Sequence, residues 1–150
     1  MTALDRERRG SIRKVRYDKR PLASNVKAFK GARAACDADG FYCPATGAAT
    51  EVPVGVFAET VDNTGGADGA KWANIDFLRD RTLLLQVNDS GGSALAITDR
   101  ERPCYQLDDQ TVTADSTKSF TGIVYDVTSE GVWVDVSAGP RGPQGEPGGG

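Results

Sequence analysis

Polar and apolar residues alternate most clearly toward the C-terminal end of the chain. In Gly131-Val-Trp-Val-Asp-Val136 the valines Val132, Val134 and Val136 fall on one face and Trp133 and Asp135 on the other, because successive side chains of a strand point to opposite sides. Phe120-Thr-Gly-Ile-Val-Tyr-Asp-Val127 alternates too and groups Ile123, Tyr125 and Val127. The link Thr128-Ser-Glu-Gly131 is short enough for a hairpin. A slip of one residue would expose all three valines, so the pairing is well specified. Upstream, Val52–Ala58 reads as a strand with Pro53 at its start or on an edge, since proline donates nothing to a ladder. Lys71–Leu78 and Thr82–Val87 are further strands, split by Arg79-Asp-Arg81. The loop Asp62–Gly69 is rich in residues that tolerate positive φ. Thr98-Asp-Arg-Glu101 has the form of a capping box for one helical turn, which Pro103 stops.

From Val26 onward, short apolar runs are broken by glycine, aspartate and asparagine at intervals of about ten residues, the spacing of an all-β sandwich or barrel. Residues 1–25 differ. Leu4, Ile12, Val15, Tyr17 and Leu22 are scattered among charges and Pro21 interrupts any helix, which predicts an extended arm without a core of its own. The expected organisation is therefore a basic arm over 1–25, a β-barrel body over 26–138 and a tail over 139–150. At 150 residues the chain suits one domain with extensions.

Charge sharpens that division. Residues 1–35 hold eleven basic and three acidic side chains, a net of +8, while the remaining residues hold seven basic and eighteen acidic, a net of −11. A basic arm is joined to an acidic body. The arm's Arg6, Arg8, Arg9, Arg13, Lys14, Arg16, Lys19 and Arg20 are candidates for contact with another protein's acidic surface or with a second copy of the chain. Nucleic acid is the competing partner, but residues 1–25 interleave a single aromatic, Tyr17, and carry no recognition motif. No run reaches the 18 apolar residues of a membrane span, and the charged N-terminus lacks the apolar stretch of a signal peptide. The sequon Asn88-Asp89-Ser90 then meets no glycosylating compartment.

The tail has its own grammar. Gly139, Gly142, Gly145 and Gly148 fall at every third position, with proline, arginine, glutamine and glutamate between them. Collagen uses this spacing because three polyproline-type chains share an axis with no room for a Cβ. So few triplets do not form a stable triple helix alone, and the expectation is a disordered Gly/Pro-rich tail or, in a trimer held together elsewhere, a collagen-like one brought into register. Gly139, Gly142 and Gly145 are accordingly candidate trimer residues.

Candidate chemistry is sparse. The chain has no histidine, the commonest general base near neutral pH, and neither a Gly-x-Ser-x-Gly elbow nor a phosphate-binding glycine loop. Asp108-Asp109 reads as a solvated turn rather than a proton-sharing dyad, since neighbouring side chains diverge. Asp37-Ala-Asp39-Gly40 and Asp62-Asn63 with Asp68 read as turns, lacking the ligand series of a calcium loop. Cys36, Cys43 and Cys104 are odd in number, do not make a zinc site without a carboxylate, and read as small buried hydrophobes kept reduced. No catalytic, cofactor-binding or metal residue is assigned, and the expectation is a protein with no enzymatic activity and no cofactor.

Three segments, Val54–Ala70, Cys104–Val112 and Gly122–Val134, resemble the head decoration, or capsid cement, proteins of tailed bacteriophages. The resemblance spans residues from about 26 to 137 and rests on a texture of strands and turns rather than on a catalytic signature. It implies a small β-barrel on the outer surface of the virion, made in the host cytoplasm. Commonly such proteins are homotrimers at threefold or local threefold positions that brace the major capsid protein. The basic arm and the collagen-like tail are additions to that pattern. A trimeric tail-fibre, spike or adhesin head that binds a receptor or glycan is the alternative. Neither nucleic acid nor membrane is an expected partner.

Overall fold

The computed structural model describes residues 16–78 and 82–138. The described residues are mostly β, with two short 3-10 turns. The first half contributes β1 (Tyr17–Pro21), β2 (Lys27–Ala28), β3 (Arg33–Cys36), β4 (Tyr42–Pro44), β5 (Val52–Phe57), β6 (Val61–Asp62) and β7 (Trp72–Asp76). Five of these form a sheet in the order β1-β7-β5-β3-β4, and β2 pairs with β6 in a separate ribbon. The sheet curls until its two edges meet: Leu22, just past β1, bridges to Tyr42 of β4. Inside the curl Leu22, Ala28, Ala34, Phe57, Ala73, Ile75 and Phe77 form one buried cluster.

The second half contributes β8 (Leu83–Asn88), β9 (Pro103–Gln106), β10 (Thr111–Thr113), β11 (Ser119–Thr128) and β12 (Gly131–Asp135). These close into a five-stranded barrel in the order β10-β8-β12-β11-β9. Its filling is Leu95, Cys104, Val112, Val124, Val132 and Val134. A closed barrel leaves no unpaired strand edge. The all-β expectation is met, with a correction to its extent: the barrel occupies 83–135 rather than all of 26–138. Each half curves around its own main apolar cluster, and a third, smaller cluster of Ala23, Ala35, Cys43 and Ala45 lies in the first half, so the core is divided where a single one was expected.

A second difference lies at the N-terminal boundary. From Tyr17 onward the segment expected to belong to a core-free arm over 1–25 is a strand of the sheet, because β1 pairs along its whole length with β7, from Tyr17 opposite Asp76 to Pro21 opposite Trp72. Leu22 is completely buried. Residues 1–15 and 139–150 lie outside the described residues, and with them Arg6, Arg8, Arg9, Arg13, Lys14, Gly139, Gly142 and Gly145.

The β11–β12 hairpin forms as the alternation requires, with Thr128 opposite Gly131. Gly131 sits at φ 141°, and a Cβ there would lie 2.4 Å from the Gln86 carbonyl oxygen, so the residue has to be glycine. Val132 and Val134 are fully buried, while Val136 belongs to a 3-10 turn (Val136–Ala138) and packs against the same core. β11 departs from strict alternation. Its register shifts between Val124 and Asp126, leaving Tyr125 as the extra residue of a bulge. Val124 is therefore core and Tyr125 is 54% exposed, against the expected grouping of Ile123, Tyr125 and Val127. Bulges of this kind bend a strand and raise its twist, which a five-stranded closure demands. Pro53 lies second in β5, where β3 pairs on one side and β7 joins only from Val56 onward. It is thus locally on an edge. The helical turn also forms, two residues earlier than expected, over Ile97–Asp99 with Ala96 rather than Thr98 at its N-cap. Asp99, not Glu101, supplies the carboxylate, accepting from the Ala96 N–H at 2.8 Å.

Arg33 joins the halves. It is 2% exposed and its guanidinium donates from Nε to Thr121 Oγ1 at 3.0 Å, from Nη1 to the Gly55 carbonyl at 2.9 Å and from Nη2 to Thr121 Oγ1 at 2.9 Å. One side chain thereby ties β3 and β5 to β11 across the junction. Burial pushes its pKa down to about 10, so it stays cationic at neutral pH.

Candidate interaction surface

Closure of the barrel decides where each face of β8 points. Leu84 stands opposite Val134 and Gln86 opposite Val132, and both valines are core. Antiparallel partners share a face, so Leu84 and Gln86 point inward. The other parity, Leu83, Leu85 and Val87, points outward and is 37%, 39% and 50% exposed. Trp133, opposite Leu85, and Asp135, opposite Leu83, extend this face onto β12. Trp133 is half-buried. The result is an apolar stripe two strands wide on the outside of a barrel whose own core lies on the opposite side.

Beyond Val87 the stripe opens into a cleft of about 290 Å³ lined by Gly31, Leu85, Gln86, Val87, Asp109 and Glu130. An adjoining hollow of about 410 Å³ runs past Phe29, Lys30 and Ala32. Phe29 is 53% exposed there, with the Lys27 ammonium 4.9 Å from its ring centroid. Asp109 stands at the junction of the two hollows, and its carboxyl is raised above the ordinary range by burial and by neighbouring Asp108. Asp108 is committed to the turn, accepting from the N–H groups of Gln110 at 2.9 Å and Thr111 at 2.8 Å.

The described basic residues of the predicted arm are engaged within the fold. Arg16 pairs with Asp76 at 3.2 Å and Lys19 with Glu59 at 3.0 Å. Arg20 lies 3.7 Å from Asp18, with its guanidinium carbon 5.7 Å from the Tyr42 centroid and 5.5 Å from that of Phe77. Such stacking holds a cation over a ring face. These three residues build the sheet edge, which leaves the contact role proposed for the arm to the residues before it.

The remaining candidates resolve into turn and core chemistry. Asp37 Oδ1 accepts from the N–H groups of Asp39 and Phe41, Asp62 from Thr64 and Asp68 from Ser24. Among the described residues no group of three or more histidine, cysteine, aspartate or glutamate side chains is arranged to hold a metal ion. The Asn88 amide donates to and accepts from the backbone of Leu95. Cys36, Cys43 and Cys104 are free thiols; Cys43 and Cys104 are buried and Cys36 is half-buried. Burial, with Glu51 adding to it, pushes Cys43 up to about 12, and burial pushes Cys104 to about 12. Both are thiols and not thiolate nucleophiles near neutral pH. Among the described residues no helix is long and apolar enough to cross a membrane.

Sequence reasoning identified Thr82–Val87 as a strand without asking what would cover its second face. The signal was present: Leu83, Leu84 and Leu85 run through both parities and the only polar residue of the core run, Gln86, lies on the inward one. A strand apolar on both faces wants a cover on each. Compared with protein-family models, with curated proteins and with solved structures, the chain matches none.

Proposed function

We propose that this chain is a structural protein that attaches to the outer surface of an assembled phage head and stabilises it, a capsid decoration protein acting as a homotrimer. The observation that supports this reading best is the outward apolar stripe of Leu83, Leu85 and Val87 on a closed barrel. With its strand edges consumed in closure, the barrel meets other proteins through side chains, and an exposed apolar face of this kind marks a protein interface, which suits a protein that works as a homotrimer. Charge assists. Residues 1–15 carry five basic and two acidic side chains, suited to acidic patches on a neighbouring capsid subunit.

The mechanism is physical rather than chemical. A ligand that bridges subunits present together only in the finished shell shifts the equilibrium toward that shell by mass action. Trimerisation multiplies the effect, because one docked copy holds two others near their sites. The test is to mix purified protein with heads that lack it and image the shells by cryo-electron microscopy. Density at threefold or local threefold positions is the expected result, and bare shells at saturating protein overturn the proposal. The glycine spacing from Gly139 favours a second reading, a fibre or adhesin head on a collagen-like stalk, and density confined to tail structures would select it.

A further inference from the structure

We propose that the outer face of the β8–β12 ribbon, formed by Leu83, Leu85, Val87 and Trp133, is the surface through which three copies of this chain meet, with β8 facing the threefold axis. The inference shares the trimer with the proposed function and is independent of the capsid.

Two observations of different kinds converge on this face. The first is its chemistry. Leu83, Leu85 and Val87 recur at period two on one outward strand face, with Trp133 beside Leu85. The one acid sharing the face along the β8–β12 ladder, Asp135, has its Oδ1 occupied by the Ser137 N–H at 3.1 Å and the Ser137 hydroxyl at 2.7 Å. An apolar, aromatic-anchored centre with charge pushed to its ends is the composition of an interface core.

The second is where the chain leaves the barrel. Asp135 is the register partner of Leu83. The 3-10 turn that follows is held to the start of β8, the Val136 N–H donating to the Thr82 carbonyl at 3.2 Å. Described chain therefore ends at Ala138 beside the Leu83 end of the stripe. The next residue is Gly139, the first of the glycines spaced by three. That spacing serves three chains that share an axis. Four residues span at most about 14 Å when fully extended, so a Gly139 placed on a threefold axis keeps Asp135, and Leu83 opposite it, close to the same axis. A tail that demands three chains and a stripe that demands a cover start from one place, and a threefold arrangement of copies about β8 meets both demands. Rotational closure of identical contacts makes the assembly finite.

The test uses the full chain. Light scattering coupled to size exclusion, from about 1 to 100 µM, is expected to give a trimer. Leu85→Asp, placing a charge in the centre of the stripe, is expected to weaken the trimer by at least about 30-fold while circular dichroism remains that of the parent. Ile97→Asp, a substitution at a still more exposed apolar residue outside the β8–β12 face, is expected to leave the trimer intact. Should Leu85→Asp fail to fold, Leu85→Cys joined by a short thiol cross-linker supplies the second readout, with covalent trimers expected. A parent chain monomeric at all concentrations, a folded Leu85→Asp variant that remains trimeric, or a Leu85→Cys variant that yields no cross-linked species overturns the proposal. So does a monomer that attaches to heads and loses attachment on Leu85→Asp, since the capsid would then be the cover. Trimers that leave heads bare would instead refute the capsid reading and leave this one standing.

Discussion

Arg33 shows how far a residue's role in the fold can lie from its appearance in the chain. In sequence it is one of eleven basic side chains in the first 35 residues; in the fold it is buried and hydrogen-bonded to Thr121 and Gly55. Lysine carries the same charge but not the planar fork that reaches acceptors on two strands at once. Arg33→Lys is expected to leave at least one buried acceptor unpaired and lower stability by about 1–3 kcal/mol, read as a lower urea midpoint at unchanged slope. Asp76 carries a pH-dependent counterpart. Burial alone would raise its carboxyl, but the Arg16 guanidinium and the Leu78 N–H hold it below the ordinary range. The Leu78 bond is 3.0 Å and secures a residue at φ 53°, a left-handed conformation that leucine rarely adopts. A depressed folded-state value means that ionised Asp76 adds stability above the unfolded value of about 3.9 and loses it as pH falls through the lower folded value. Asp76→Asn is therefore expected to cost about 1–2 kcal/mol at pH 7, with the gap from the parent narrowing below pH ~3. Chemical denaturation at several pH values checks both statements.

At the scale of elements, legibility followed the strictness of alternation. The β11–β12 hairpin was readable because valines alternate without interruption and the link is short. The bulge at Tyr125 was not, since it answers to the curvature of a closed barrel rather than to local preference. β3 was missed because its buried residues are Arg33, which the pattern reads as solvent-facing, and Ala34 and Ala35, which are poor strand formers. β1 was assigned to a core-free arm because its contacts are made by charged side chains: Arg20 enters the sheet by stacking on Tyr42 and Phe77, and a sequence pattern counts it as solvent-facing. The outward stripe of β8 was visible as a run of leucines but needed the barrel's closure to tell inside from outside. The segment around β1 yields a test. Leu22 is fully buried against the first core, and Leu22→Ala is expected to cost about 2–5 kcal/mol. Removal of residues 1–15 is expected to leave the melting temperature within a few degrees of the parent, whereas a further cut through Leu22 should abolish cooperative unfolding. Differential scanning calorimetry distinguishes the two boundaries.

At the scale of the whole molecule the charge divides along the sequence, with residues 1–15 carrying five basic and two acidic side chains. Within the fold, Arg16, Lys19 and Arg20 each have a carboxylate within reach, so little of their field is left for a partner. Residues 36–150 carry a net −11, and the positive charge ahead of the fold is that of Arg6, Arg8, Arg9, Arg13 and Lys14. On the proposed reading, attachment through those residues is electrostatic and screened by salt, with screening lengths of about 8 Å at physiological ionic strength. Replacing the five with glutamate is expected to leave the melting temperature unchanged, because the core clusters of the described residues are built from Leu22 onward. Occupancy of purified heads should fall by at least about tenfold near 0.1 M salt. The parent should lose part of the same occupancy as salt rises, and the variant should show little further dependence. Unaltered occupancy by the glutamate variant at every salt concentration would remove the arm from the attachment and leave it to surfaces of the trimer outside the β8–β12 face.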